Sequence, residues 1–186
     1  MNKLFAFVGM CGAGKSTAAD VLLNKGWAYI RFGQVTIDKI REEGKEITPE
    51  NEKEARESLR QEHGMGAFAL LSLPKIEEAV QHSPVVIDGL YSWAEYKILK
   101  GRFGDSLDVV AIHTSPNTRY ERLSTRKHDV DDRDHRMRLL TPEQAQKRDY
   151  AEIENIEKGG PIAMATYTII NEGTIEELKA AVQTLM

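Results

Sequence analysis

Residues 9–16, with the sequence GMCGAGKS, constrain the fold of this chain more than any other segment. They fit the pattern G-x-x-x-x-G-K-[S/T], in which the backbone N–H groups of a glycine-rich loop surround a phosphate. The apolar run Leu4–Val8 precedes the loop, and a helical pattern at Thr17–Leu23 follows it. The motif requires this order of strand, loop and helix, because the helix N-terminus adds partial positive charge. The sequence therefore predicts a mononucleotide-binding loop.

Each residue type in this loop has a predicted role. Lys15 is expected to reach the β- and γ-phosphates, the Ser16 hydroxyl to hold magnesium, and Thr17 to assist at the phosphates. The alternative is a glycine-rich turn with a surface lysine, and the flanking strand and helix argue against it. The residues expected to bind the nucleotide phosphates are Gly9, Cys11, Gly12, Ala13, Gly14, Lys15, Ser16 and Thr17.

Composition narrows the class of protein. The 186 residues, 41% hydrophobic and 29% charged, are typical of one soluble globular domain. A formal net charge of −4 argues against nucleic acid or an anionic membrane as a partner. The single cysteine, Cys11, excludes an internal disulfide, and no apolar run approaches a membrane span or a signal peptide. We expect a cytoplasmic protein with a small-molecule partner, and the sequence leaves its oligomeric state open.

Apolar runs of strand length alternate with helical stretches, which is typical of an α/β fold with a parallel sheet. Several runs are apolar throughout, as expected for strands that are covered on both faces. Five strands joined by helices predict a doubly wound parallel sheet that binds ligands at the carboxyl ends of its strands. The strand candidates are Leu4–Val8, Ala28–Phe32, Val85–Asp88, Val109–His113 and Tyr167–Asn171.

Helix starts and two insertions complete the predicted organisation of a single domain. Ser92, Thr141 and Thr174 are each followed three residues later by Glu or Gln, the pattern of a capping box. Residues 33–66 are predicted to form a helical insertion after the second strand. Residues 127–140 are dense in charge and have almost no apolar side chain to bury, so they are predicted to form a short lid or surface loop.

An acid, Asp88, ends the third strand candidate and is followed by Gly89. In a phosphate-binding α/β protein, an acid at this place is usually beside the magnesium ion and its waters. Asp88 and Ser16 are therefore the predicted metal-binding pair. The alternative is an ordinary Asp-Gly turn at a strand end.

Arginines are the second group of side chains that could act on phosphates. A guanidinium group directs two N–H groups onto two oxygens, and phosphoryl transfer needs cations that clamp the transferring group. The alternative is pairing with nearby acids such as Glu121, because surface ion pairs are common and weak. The candidates are Arg119, Arg122 and Arg126 in one helix, Arg133, Arg136 and Arg138 in the predicted lid, and Arg148 beyond it.

The end of the second strand candidate could bind the phosphate of an acceptor. Arg31 and Gly33 stand there, and Arg41 follows downstream. In a doubly wound sheet this strand end lies next to the phosphate-binding loop. For Arg41 the alternative is simple charge on a helix surface.

Together these segments resemble the nucleoside-monophosphate kinase branch of the P-loop proteins. The resemblance spans nearly the whole chain. Within this branch, the chain is most similar to a mainly archaeal set of adenylate-kinase-like and dephospho-CoA-kinase-like proteins. It is carried by GMCGAGKST at 9–17, IRFG at 30–33, VVIDG at 85–89, RYERLSTR at 119–126 and TIINEGTIEEL at 168–178.

The resemblance implies ATP and magnesium as cofactors and a core domain with an acceptor-binding lobe near 33–66 and a lid near 127–140. It also implies that Arg122 and Arg126 approach the donor phosphates and that residues 171–173 lie near the donor adenine. The absence of an N-K-x-D signature favours ATP over GTP.

Three departures from these families leave the acceptor open. Adenylate kinases usually carry Asp where Gln34 stands, and an arginine close to the position of Tyr91. Dephospho-CoA kinases carry an aspartate where Arg31 and Phe32 stand. The expected function is transfer of the ATP γ-phosphoryl group to a nucleotide or nucleotide-like acceptor. The alternatives are a dephospho-CoA-kinase-like enzyme, a nucleotide-dependent switch or slow ATPase, and a binding module without activity.

Overall fold

Five parallel strands form one sheet at the centre of the molecule. The structure is a computed structural model that describes residues 2–125 and 139–186. The predicted lid at 127–140 therefore lies almost entirely outside the described residues. Four predicted phosphate-binding arginines also lie outside them: Arg126, Arg133, Arg136 and Arg138.

The strands and helices alternate along most of the chain, as the sequence predicts. The strands are β1 (Leu4–Val8), β2 (Ala28–Arg31), β3 (Val85–Asp88), β4 (Leu107–His113) and β5 (Tyr167–Ile170). The described α-helices are α1 (Lys15–Leu23), α2 (Phe32–Glu42), α3 (Pro49–His63), α4 (Ala67–His82), α5 (Trp93–Phe103), α6 (Pro116–Thr125), α7 (Pro142–Ile156), α8 (Gly159–Ala163) and α9 (Ile175–Gln183).

The strand order β2-β3-β1-β4-β5 places β1 in the middle of the sheet. All the pairings are parallel. The chain therefore leaves β1 for one edge and later returns to build the other edge from β4 and β5. The loop after β1 lies where these two directions separate, which is where ligands bind in open parallel sheets.

Alternating side chains of β1 build the two halves of the core. Leu4, Ala6 and Val8 pack on one face with residues of α4 and α5. Phe5 and Phe7 pack on the other face with residues of α1 and α9. Both faces of β1 are fully buried, which explains its uninterrupted apolar sequence and confirms the predicted doubly wound sheet.

The local signals in the sequence set the element boundaries to within two residues. Ser92, Thr141 and Thr174 each form a complete capping box in the structure. The predicted strand over 28–32 ends one residue early, because α2 begins directly at Phe32. The insertion at 33–66 is indeed helical and consists of most of α2 and all of α3. Within the described residues, no helix is both long and apolar enough to cross a membrane.

Candidate active site

Two glycines of the phosphate-binding loop (residues 9–17) occupy positions that exclude a side chain. Gly9 has a φ of 147°, and a Cβ there would lie 2.3 Å from the carbonyl oxygen of Ile112. Gly14 has a φ of 100°, and its Cβ would lie 2.5 Å from Nδ2 of Asn171. Left-handed backbone and close contact with β4 and the β5–α9 loop thus require both glycines. The loop is held against two neighbouring segments in a tight turn.

Lys15 begins α1 and folds back over the loop. Its Nζ donates a hydrogen bond to the carbonyl oxygen of Met10 at 3.0 Å. The pKa of Lys15 is lowered to about 8. Burial is the main cause, and the positive charge of Lys158 is the second cause. A nearby anion would favour the charged ammonium again. The electrostatics of this position therefore suit a phosphate ligand.

Ser16 and Asp88 meet at the carboxyl ends of β1 and β3. The Ser16 hydroxyl donates to Oδ2 of Asp88 at 3.0 Å, and the Tyr29 hydroxyl donates to the same oxygen at 2.9 Å. Asp88 is only 5% exposed. A serine hydroxyl and a carboxylate are oxygen ligands of the kind that Mg²⁺ prefers, and Mg²⁺ usually needs only one or two from the protein. The residues present therefore fit the predicted metal site.

Parallel pairing places Arg31 directly beside Asp88 at the edge of the sheet. The Arg31 side chain folds over Gly33, where a Cβ would lie 3.3 Å from the Arg31 Nε. Arg41 is exposed in the last turn of α2, about 14 Å along the helix axis from the strand end. The structure thus brings Arg31 and Gly33 to the site and leaves Arg41 apart from them; its acceptor role stays a prediction.

Arg119 is a buried structural residue. It is 3% exposed and makes a two-pronged ion pair with Asp149 of α7, at 3.0 and 2.7 Å. The same guanidinium donates to the carbonyl oxygens of Cys11 and Thr114. The ion-pair alternative therefore holds for this arginine, but its partner is distant in sequence. Arg119 ties α7 and the β4–α6 turn to the phosphate-binding loop.

Arg122 contacts the β5–α9 loop, which the resemblance places near the adenine. Its guanidinium donates to the carbonyl oxygens of Asn171 at 2.9 Å and Gly173 at 3.1 Å. Nδ2 of Asn171 donates to the carbonyl oxygen of Ala13 at 2.8 Å, so this loop is also attached to the phosphate-binding loop. The contacts described for Arg122 are to protein, and its approach to donor phosphates stays a prediction.

Sequence reasoning missed two residues that lie beside the site, Tyr29 and Lys158. Tyr29 bonds Asp88, as described above. Lys158 is 1% exposed and bonds Glu152 at 2.6 Å. The local sequence around Lys158, a lysine before two glycines after a helix, is also typical of an exposed helix end. Only its burial in the fold distinguishes it.

Glu95 is a buried acid at the start of α5. Its Oε2 accepts hydrogen bonds from the backbone N–H groups of Tyr91 and Ser92, both at 2.8 Å. Burial raises the pKa of Glu95 to about 7, from an ordinary value of 4.5, although these hydrogen bonds act in the opposite direction. The carboxyl group therefore titrates near neutral pH and anchors the segment that follows Asp88.

This pKa predicts a pH-dependent stability that Glu95→Gln removes. Between pH 4.5 and 7 the unfolded chain loses the Glu95 proton and the folded chain keeps it, so the free energy of unfolding falls as pH rises. The loss totals about 3 kcal/mol by pH 8, or roughly 6–12 °C in Tm. We expect the Tm of the wild type, relative to Glu95→Gln, to fall over this range.

The matched control is Glu78→Gln, which changes an exposed glutamate of α4. Its Tm difference from the wild type is expected to stay constant over the same pH range. A wild-type Tm that runs parallel to that of Glu95→Gln from pH 4.5 to 8 would contradict the raised pKa.

Comparison with known proteins identifies the family. A family model described as "AAA domain" matches residues 6–154. A "UPF0200 protein" from Thermococcus gammatolerans is 35% identical over 180 residues, which cover 96% of this chain and 90% of the relative. The chain belongs to the UPF0200 family. A second relative, from Sulfurisphaera tokodaii, is 35% identical over 184 residues, with 99% of this chain and 96% of the relative covered.

Solved structures confirm the P-loop kinase-like fold of this UPF0200 protein. A shikimate kinase from Acinetobacter baumannii, in complex with shikimate, superposes with a TM-score of 0.61 and 21% identity, covering 100% of this chain and 93% of the other. A gluconokinase from Sinorhizobium meliloti superposes with a TM-score of 0.56 and 15% identity, covering 98% and 93%. At these identities the likeness concerns the fold alone. The narrower resemblance to adenylate and dephospho-CoA kinases therefore belongs with the proposed function.

Proposed function

We propose that this UPF0200 protein is an ATP-dependent kinase that transfers the γ-phosphoryl group to a nucleotide or nucleotide-like small molecule. The observation that carries the proposal is the convergence of Lys15, Ser16 and Asp88 at the carboxyl ends of β1 and β3. A triphosphate-binding lysine, a hydroxyl and a carboxylate at this place are the parts that phosphoryl transfer needs from a P-loop protein.

The chain's own residues account for donor binding. The backbone N–H groups of the phosphate-binding loop and the Lys15 ammonium would hold the β- and γ-phosphates. Ser16 and Asp88 would hold a magnesium ion, which supplies charge neutralisation on the phosphate oxygens. Arg122 keeps the β5–α9 loop in place, and this loop would lie along the adenine.

The acceptor site would lie between the end of β2 and the insertion at 33–66. Arg31 stands beside Asp88, so an anionic group bound by this guanidinium would bring the acceptor next to the transferring phosphoryl group. Gly33 makes room for the folded-back Arg31 side chain. Arg41 and the arginines of the predicted lid would then bind phosphate only when the insertion at 33–66 and the lid close over the substrates.

A coupled assay of ADP release tests the proposed function. Nucleoside monophosphates and dephospho-CoA are offered in turn as acceptors with MgATP. We expect at least one to raise ADP release well above the acceptor-free rate, to a kcat of about 1–100 s⁻¹. Asp88→Asn is expected to lower this kcat about 10²- to 10³-fold, because it removes a charge placed at the metal.

The acceptor-free rate decides between the proposed function and its main alternative. ADP release that no acceptor changes would contradict the kinase and favour a nucleotide-dependent switch or slow ATPase. ATP binding without any turnover would favour a binding module.

A further inference from the structure

Lys158 is a buried lysine that lies beside the phosphate-binding loop without belonging to it. Its side chain is 1% exposed, and its positive charge contributes to the lowered pKa of Lys15. A buried ammonium group is stable only when it is paired. Here the partner is Glu152, whose Oε2 accepts a hydrogen bond from Lys158 Nζ at 2.6 Å.

Glu152 joins Lys158 to a second cation, Arg148 of α7. Its other oxygen accepts a hydrogen bond from Nε of Arg148 at 2.8 Å. Burial alone would raise the pKa of Glu152, but the charges of Lys158 and Arg148 hold it well below its usual range. Arg148 directly precedes Asp149, which pairs with Arg119, and Arg119 donates a hydrogen bond to the carbonyl oxygen of Cys11 in the loop. The ion-pair chain from Lys158 therefore ends at Arg148, whose neighbour Asp149 is tied to the phosphate-binding loop by Arg119.

Lys158 also contacts the segment that follows Asp88. Its Nζ lies 5.0 Å from the centroid of the Tyr91 ring, within the range of a cation–π interaction. The Tyr91 ring folds over Gly89, where a Cβ would lie 2.8 Å from the Tyr91 hydroxyl oxygen. The Lys158 ammonium group therefore contacts both Glu152 of α7 and the Tyr91 ring in the segment after Asp88.

The backbone that delivers Lys158 is itself unusual. After α7 ends at Ile156, Glu157 adopts a left-handed conformation with a φ of 52°. Among the described residues, it is the one non-glycine with a positive φ. Glycine is the usual residue at this place after a helix, because other residues are strained there. This left-handed residue directly precedes the buried and paired Lys158.

We propose that Lys158 is a positioning residue of the phosphoryl-transfer site: through Glu152 it holds Arg148 beside the Arg119–Asp149 pair that supports the phosphate-binding loop, and through Tyr91 it holds the segment after Asp88. The proposal rests on the proposed kinase function for its kinetic readout. Lys158 itself need not touch substrate, because its effect is to fix groups that do.

A double-mutant cycle tests the coupling between Lys158 and Arg148. The value of kcat/KM is measured for the wild type, Lys158→Met, Arg148→Gln and the double variant, with the acceptor that gives the fastest ADP release. Each single substitution is expected to lower kcat/KM about 10- to 100-fold, as misplacement of a transfer-site group does. The kcat/KM of the double variant is expected to equal that of the less active single variant, because both changes remove the same positioned guanidinium.

Two further variants exclude a general structural effect. Lys158→Arg keeps the charge and is expected to recover most of the activity. Lys147→Met changes an exposed lysine on α7, the helix that carries Arg148 and Glu152, and is expected to leave kcat/KM unchanged. Losses that multiply in the double variant, or a Lys158→Met protein as active as Lys147→Met, overturn the proposal.

If Lys158→Met does not fold, Tyr91→Leu takes its place. A lower kcat with a nearly constant KM for ATP then supports the proposal, and a wild-type kcat overturns it.

The cycle also separates this inference from the proposed function. If the wild type phosphorylates no acceptor, the proposed function fails, and the cycle is read from the dissociation constant of MgATP by titration calorimetry. Non-additive losses of affinity then support the coupling of Lys158 to Arg148, and additive losses overturn it.

Discussion

Replacing Lys15 by alanine is expected to abolish the stabilisation of this protein by MgATP. A ligand that binds only the folded state at 100 times its dissociation constant adds about 2.7 kcal/mol to the free energy of unfolding. For a chain of this size that corresponds to a rise in Tm of roughly 5–11 °C. In the proposed function Lys15 supplies the ammonium group that binds the phosphates, so the Tm of Lys15→Ala should be the same in thermal melts with and without MgATP.

Lys25→Ala is the matched control for this experiment. Lys25 is exposed in the turn between α1 and β2, away from the loop. This variant is expected to keep the full rise in Tm. If Lys15→Ala were stabilised by MgATP as strongly as Lys25→Ala, the phosphate-binding role of the loop would be wrong.

Arg119→Ala is expected to cause the largest loss of stability among the substitutions considered. It leaves the Asp149 carboxylate buried without its cation and removes the donor to the Cys11 carbonyl oxygen. Breaking a buried ion pair by removing one partner costs about 3–5 kcal/mol, or roughly 6–20 °C in Tm for a chain of this size. Thermal melts measure this directly. The variant should also bind MgATP more weakly, because the loop loses a support.

The contrast with a surface ion pair gives the control. Arg102→Ala breaks the exposed pair between Arg102 and Glu77. Pairs of this kind contribute about 0–1 kcal/mol, so little change in Tm is expected. Equal losses in the two variants would mean that burial does not decide the contribution of Arg119.

Much of the fold could be predicted because its signals are local. The loop at 9–17 combines strand, glycines, lysine and helix within a short segment. The fully apolar β1 indicates a strand that is covered on both faces. The capping boxes at Ser92, Thr141 and Thr174 depend only on residues three positions apart, so they survive in the structure unchanged.

The site could be predicted only where it is contained in such a segment or at a strand end. Lys15, Ser16 and Asp88 follow directly from the motif and from the end of an apolar strand. A list of arginines does not say which of them face a ligand. Arg119 and Arg122 occupy one helix, yet the first pairs with Asp149 and the second holds the β5–α9 loop.

The sequence by itself determined the phosphate-binding loop, the parallel sheet and the helix starts, because backbone geometry and hydrophobic period act over a few neighbouring residues. Only the tertiary structure decided which charged side chains are buried and with whom they pair. Arg119 meets Asp149 30 positions away, and Tyr29 meets Asp88 59 positions away. The free energy of a buried charge depends on its surroundings in space, and no short pattern in the chain records them.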